Sequence, residues 1–425
     1  MIKPVTICII LTLALQLNWS VNQIDINNAF LYGDLEESVY MIQPPGFQTG
    51  DSHTVCKLNK ALYGLKQAPR SWFHKLSTTL ISLGFHPTKS DTSLSLHFHN
   101  NITLFVLIFV EDILITGNLN IVIQRLIHSL SQHFARKNLG TLHYFLGVEA
   151  TLTLDGGLHH FQTKYIQDLL HKTNMLSSKP QPTPMLSTTH LTKNATTAVD
   201  DPFLYRSVVK SLQYILITRS ELAYSVKKVC QFMNNPQHHH WNAVKGILRY
   251  LVGTATHGLH LLCPSQLTLN AFADADWGSD PDDRKSTSGL VVYLGSNPIA
   301  WLSKKQKVVS RSSTEGEYHS TAATLAELKW IQNLLTELRL PPTLPTIRSD
   351  NLGAVLLASN PIMHSKTKHF ELDLHFVRDA IQQKQLQLLH VPAKLQIADV
   401  FTKPVSAGPF SALLHKLMVY PKPLI

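Results

Sequence analysis

The chain has 425 residues, 44% hydrophobic and 16% charged, with 38 Lys and Arg against 28 Asp and Glu, a formal charge of +10. That apolar content excludes a disordered chain, and 19 glycines exclude a collagen-like one. Cysteines at 8, 56, 230 and 263 match neither a zinc finger nor a disulfide framework, so a reducing, intracellular compartment fits. The length allows two to four domains with buried cores.

In chain order, residues 5–17 are almost wholly apolar after Lys3. They read as a helix buried against the next strand. A secretory leader is the alternative, although the cleavage site is poor and the run is too short to span a membrane. Residues 23–31 read as a short strand entering a turn or helix, and 61–85 as a basic loop followed by an amphipathic helix. Residues 103–116 are rich in β-branched and aromatic side chains and predict a hairpin with Glu111-Asp112 between its strands. Helices are predicted over 165–172, 201–233 and 241–251, with a Pro/Thr/Ser-rich linker at 180–202. Strands follow at 267–274, 289–294 and 299–302. A long helix over 315–338 places Leu325, Leu328, Ile331, Leu335 and Leu338 on one face. A strand at 346–350, a helix at 370–384 and a strand at 386–391 complete the pattern. The mixture predicts an α/β or α+β multidomain chain.

The excess charge is uneven. Residues 1–155 carry 10 basic and 10 acidic side chains, 156–265 carry 11 and 4, and 266–405 carry 15 and 14. A basic middle between two acid-rich regions suits a nucleic-acid backbone held between two metal sites. An unevenly charged soluble surface is the alternative.

The acids form two sets. Glu111 and Asp112 are adjacent and repel unless a cation neutralises them, and Glu-Asp is a poor hairpin turn. Asp25, between Ile24 and Ile26, is a third carboxylate that could join them on magnesium; taken singly it reads as a strand-end or cap residue, and Glu111-Asp112 as a solvated turn. In the second set Asp274 and Asp350 end strands, Glu317 lies in the first turn of the long helix and Asp399 follows Pro392. Four acids from four elements, converging on two cations about 4 Å apart, suit phosphodiester cleavage. Singly, each is an ordinary strand-end or cap acid. Asp276, Asp280, Asp282 and Asp283 read as a solvated loop. His238-His239-His240 suggest a metal cluster, but three consecutive residues cannot share one helical face.

Together these residues resemble the reverse transcriptase and ribonuclease H part of a copia-type (pseudovirus) LTR retrotransposon Pol polyprotein. The resemblance covers nearly the whole chain. It rests on DINNAF (25–30), ALYGLKQAPR (61–70), FVED (109–112), LGTLHYFLG (139–147) and YRS (205–207). It continues through ADADW (273–277), SRSSTEGEY (310–318), SDN (349–351), KTKH (366–369) and ADVFTK (398–403).

The resemblance implies a reverse transcriptase palm over 1–155 and a thumb- or connection-like basic region over 156–265. A ribonuclease H-like mixed sheet with flanking helices over 266–405 and a tail at 406–425 complete the expected domains. It assigns Asp25, Glu111 and Asp112 two magnesium ions, with manganese as the alternative metal. Phe30 is implied to stack under the incoming sugar. Lys66, Gln67 and Arg70 are implied to contact nucleotide and template, and Leu146 and Gly147 to form a primer grip. Asp274, Glu317, Asp350 and Asp399 are implied to hold two further ions and cut the RNA of an RNA–DNA hybrid. Ser310, Arg311 and Ser312 would contact phosphates there, and His390 would assist product release. Lys164, Lys172, Lys227, Lys228, Lys245 and Arg249 would track the duplex. The implied partners are primer–template, RNA–DNA hybrid and deoxynucleoside triphosphates, with no stable membrane partner. The implied location is cytoplasmic, in virus-like particles, and nuclear.

Departures from the family temper the polymerase. The match begins within its reverse transcriptase, so the fingers are expected to be missing. Glu111 stands where the family has aspartate, and the added methylene extends the side chain by about 1.5 Å. Sites of this kind tolerate roughly 0.5 Å, so DNA synthesis is expected to be severely impaired. Lys210 and Ser220 replace a usual glycine and proline. A silent nucleic-acid-binding remnant is the alternative reading, and a secreted protein the third.

Overall fold

The computed structural model describes residues 3–51, 53–193, 196–341, 343–359 and 371–423. The KTKH motif lies outside the described residues. The chain forms two compact units, Met1–Leu146 and Gly147–Ile425.

The first unit is built on a six-stranded antiparallel sheet. Its order is His86–Pro87, Leu94–His99, Ile102–Phe109, Asp112–Gly117, Val21–Ile26 and Arg136–Thr141. Helices Pro4–Gln16, Ala68–Ser82 and Asn120–His133 complete it, with a two-stranded ribbon, Asp34–Ile42 and Val55–Lys60, that the sequence pattern does not foretell. The core joins Ile24, Ile26, Ile113 and Ile115 of the sheet to Trp72, Leu76, Ile123 and Ile127 of the helices. Ile102–Phe109 and Asp112–Gly117 are buried at consecutive positions, so their sequences are near-continuous apolar runs. The apolar 5–17 run is the Pro4–Gln16 helix, with Cys8 to Ala14 all buried. Pro4 starts it where its missing N–H costs nothing, and the Thr6 hydroxyl donates to Asp91 at 2.6 Å. No described helix is long and apolar enough to cross a membrane.

The second unit holds two sheets. Strands Val148–Leu152, Leu158–Phe161, His257–Leu261 and Val419–Pro421 pair antiparallel in that order. The other sheet has the order Asn297–Lys305, Thr287–Leu294, Leu269–Ala275, Thr346–Ser349 and Gln387–His390. Its first three strands pair antiparallel and its last two join in parallel. This is a mixed sheet, as expected. Its second strand, Thr287–Leu294, is buried at every position, so its sequence is a continuous apolar and small-residue run. The long helix, Ser313–Glu337, buries Leu325, Leu328, Ile331 and Leu335.

Three expectations shift. Residue 155 falls in the turn between two paired strands, so the units divide after Leu146 instead. The basic helical region and the mixed sheet share one core: Val208, Leu212, Leu248 and Leu251 pack in the same cluster as Val291, Tyr293 and Phe401. The 406–425 tail is a helix, Ala407–Lys416, and a sheet strand, Val419–Pro421.

The predicted 201–233 helix is two helices, Pro202–Ile215 and Ala223–Cys230. Arg219 breaks it, with a non-helical backbone (φ −126°, ψ 70°) and a buried side chain. The Arg219 and Glu221 side chains are fully buried and 2.7 Å apart. Arg219 also donates to the Thr254 carbonyl and hydroxyl, each at 2.8 Å, and Tyr250 donates to Glu221 at 3.2 Å. Removing one ion of a buried pair strands the other. Arg219→Leu is therefore expected to lower the unfolding free energy by about 3–5 kcal/mol in a urea melt. A loss below about 1 kcal/mol would show that the pair contributes little.

Candidate functional site

In the first unit, Asp25 and Asp112 face each other across paired antiparallel strands. Phe109 pairs with Asp112, so the two-residue turn is Val110-Glu111 and not Glu111-Asp112. Val110 adopts φ 52°, a left-handed conformation that a β-branched residue rarely takes. The Trp72 indole holds it, donating to the Val110 carbonyl at 2.6 Å. The Ile26 N–H bonds the Glu111 carbonyl at 2.9 Å. Buried Gln23 donates to Asp112 Oδ1 at 3.3 Å.

Burial raises the Asp25 pKa, and the Glu111 charge raises it further against the opposing Lys137. Asp112 is raised by burial too, with Asp25 and Glu111 adding to it against the Gln23 hydrogen bond. Such crowding suits a divalent cation held by oxygen donors. Glu111 itself accepts a hydrogen bond from Tyr63 at 2.8 Å, and the Tyr63 ring lies 4.4 Å from that of Phe30. The sequence reading assigned Tyr63 no role. Lys66 and Arg70 are exposed and Gln67 half-buried, around the start of the Ala68–Ser82 helix. Leu146 and Gly147 have φ 53° and 67°, consecutive left-handed residues as in a tight turn.

The second unit brings its acids together. Asp274, Asp350 and Asp399 each offer an oxygen within 4.8 Å of the others. They come from the end region of the Leu269–Ala275 strand, the residue after Thr346–Ser349, and a 3-10 turn, Ile397–Phe401. The fold around them is specific. Gln396 spans Ala273 and Asp350, donating to the Ala273 carbonyl at 2.9 Å and to Asp350 Oδ1 at 3.3 Å. The buried Thr402 hydroxyl donates to Asp274, and Lys403 sits 2.8 Å from Asp399. Gln396, Thr402 and Lys403 were missed as site residues, although two of them lie within the ADVFTK motif.

Glu317 stands beside the three acids, not among them. It accepts from the Ala275 N–H at 3.2 Å and from Ser349 at 3.4 Å. Burial, then the neighbouring Asp274 charge, pushes its pKa up to about 10. Asp399 is pushed up to about 6, mainly by burial, with the Lys403 hydrogen bond opposing. A set of three converging carboxylates and one protonated neighbour fits a hard divalent cation.

The other predicted contacts divide. Ser310 is buried and donates to Gln306 at 2.9 Å. Ser312 caps the long helix, accepting from the Glu315 N–H at 3.2 Å. Arg311 is exposed. His390 ends the strand parallel to the Asp350 strand and is exposed. Lys228 is buried in an ion pair with Asp280 at 3.1 Å, which removes it from a duplex track. Lys172 donates to Ser207 at 2.8 Å, Lys245 lies 6.0 Å from the Trp241 ring, and Lys164, Lys227 and Arg249 are exposed. In the acid loop after Asp274, Asp280 is buried and pairs with both Lys228 and Lys305, whereas Asp282 is exposed as expected. His240 completes a capping box with Gln237 and stacks on Phe232 at 3.8 Å.

A family profile described as reverse transcriptase (RNA-dependent DNA polymerase) matches residues 1–187. The chain is 47% identical over 424 residues to the retrovirus-related Pol polyprotein from transposon RE2 of Arabidopsis thaliana, covering 99% of this chain and 29% of that protein. It is 37% identical over 421 residues to the corresponding polyprotein from transposon TNT 1-94 of Nicotiana tabacum, covering 96% and 32%. The chain thus spans less than a third of these relatives' length. Among solved structures, a foamy viral protease-reverse transcriptase in complex with dsDNA aligns at TM-score 0.46 and 12% identity, covering 90% of this chain and 70% of that one.

The Glu317 carboxyl is protonated near neutral pH and must lose stability in that form when a cation neutralises Asp274. Affinity for Mg2+ is therefore expected to rise with pH from about 6 toward 10, with about one proton released at pH 8. Calorimetry in two buffers of different ionisation enthalpy measures that release. No proton release, or tighter binding at pH 6 than at pH 8, would contradict the assignment.

Proposed function

The chain belongs to the reverse transcriptase family of copia-type retrotransposon Pol polyproteins, and on that premise we propose that it cleaves the RNA strand of RNA–DNA hybrids at its second unit. The observation that carries this reading is the convergence of Asp274, Asp350 and Asp399, from three separate elements, within 4.8 Å. In this reading these three residues hold Mg2+, or Mn2+ in its place. When bound, such ions activate water and neutralise the leaving oxygen of a phosphodiester.

The chain's own residues prepare the site. Thr402 fixes the Asp274 carboxylate by its hydroxyl, and Gln396 ties Asp350 to the Ala273 backbone. Glu317, bonded to the Ala275 N–H, holds a proton beside Asp274 until a cation arrives. Arg311, exposed at the start of the long helix, is offered to a backbone phosphate. Recognition of the hybrid then rests on its shape and 2′-hydroxyls. His390 retains its proposed part in product release.

For the first unit, the proposed activity is RNA-directed DNA synthesis from a primer–template and deoxynucleoside triphosphates. Asp25, Glu111 and Asp112 are its proposed metal-binding acids, and Phe30 the wall beneath the sugar. Lys66, Gln67 and Arg70 face the nucleotide, and Leu146 and Gly147 grip the primer. Glu111 is the weak point, because its carboxylate lies on Tyr63. An intracellular site of action is part of the same proposal.

With Mg2+ the chain is expected to cut a labelled RNA–DNA hybrid, and Asp350→Asn to lower the rate by about a thousandfold. Equal product from the variant would remove the nuclease reading. Primer extension is expected near background, rising with Glu111→Asp. Strong synthesis by the unaltered chain would overturn the assigned impairment.

A further inference from the structure

The two acid sites differ in one respect. In the second unit three ligand oxygens converge within 4.8 Å; among the described residues no other trio does, so Asp25, Glu111 and Asp112 fall short of that convergence. Asp25 and Asp112 are directly opposed in register. Glu111 stands in the turn beside them and has a neutral hydrogen-bond partner of its own. Its Oε2 accepts the Tyr63 hydroxyl hydrogen at 2.8 Å.

Tyr63 is itself anchored. Its ring packs 4.4 Å from Phe30, which rests on the core of the unit. The Ala61 N–H, two residues earlier, bonds the Gly33 carbonyl at 3.0 Å. Gly64 follows at φ +97°, so the chain turns sharply just beyond the ring. Glu111 can reach this anchored hydroxyl because it has one methylene more than aspartate. A carboxylate drawn back by about 1.5 Å would lose a 2.8 Å hydrogen bond.

We propose that Tyr63 is a positioning residue that withholds the Glu111 carboxylate from cations at the first site. The proposal rests on the reverse-transcriptase reading of that site. The tyrosine is a donor across the neutral range, as an ordinary phenol is. A cation recruiting Glu111 Oε2 must displace this bond. A hydrogen bond to a charged acceptor corresponds to roughly tenfold in affinity.

The test uses the full chain carrying Asp274→Asn and Asp350→Asn, which silences the second site, and Mn2+ as probe. Free Mn2+ is followed by electron paramagnetic resonance, so no activity is needed. Tyr63→Phe keeps the ring on Phe30 and removes only the hydroxyl. It is expected to tighten Mn2+ binding about three- to tenfold. Glu111→Asp is expected to tighten it as well, and Tyr63→Phe to add nothing in that background. Unchanged or weaker binding by Tyr63→Phe overturns the proposal, as does an equal gain in both backgrounds. Mn2+ binding that Asp25→Asn leaves intact overturns the reading of the first site, and the proposal with it.

Discussion

Like charges held close together are the constraint on which the rest of this structure turns. Asp274, Asp350 and Asp399 present oxygens within 4.8 Å of one another, beside a fourth buried acid. No chain assembles such a cluster for stability, since each ionised carboxylate raises the cost of the next. The surroundings moderate that cost without removing it. Thr402, Gln396 and Lys403 each engage one acid, and Glu317 keeps its proton. What remains is an electrostatic demand for a cation, which the mixed sheet and the Ile397–Phe401 turn hold in place.

The first unit meets the same demand less completely. Its hairpin carries strain at Val110, stabilised by Trp72, and this aims the following acids at Asp25. Asp25 and Asp112 are opposed in register, and the Glu111 charge bears on both. Glu111, in the turn, accepts a hydrogen bond from the neutral Tyr63 hydroxyl.

Much of this was legible in the sequence where local pattern coincides with tertiary role. The 103–116 run is rich in β-branched and aromatic residues and becomes strands, and the leucine series at 325–338 becomes the buried face of the long helix. The second acid set was legible because each member ends or begins an element. What escaped depends on contacts distant in sequence. Arg219 breaks a helix-like pattern because Glu221, Tyr250 and Thr254 surround it. Asp280 looks like a loop acid but is buried by Lys228 and Lys305. Ser310 reads as a phosphate contact yet turns inward to Gln306. The turn register at Glu111 moved by one residue, because pairing of Phe109 with Asp112 is set by the whole sheet.

The central claim is that the acids of the second unit hold divalent cations. Anomalous diffraction from crystals soaked in Mn2+ tests it most directly. The account predicts anomalous density coordinated by Asp274, Asp350 and Asp399, lost in Asp350→Asn crystals treated alike. Mn2+ density elsewhere with none among these three carboxylates would contradict it.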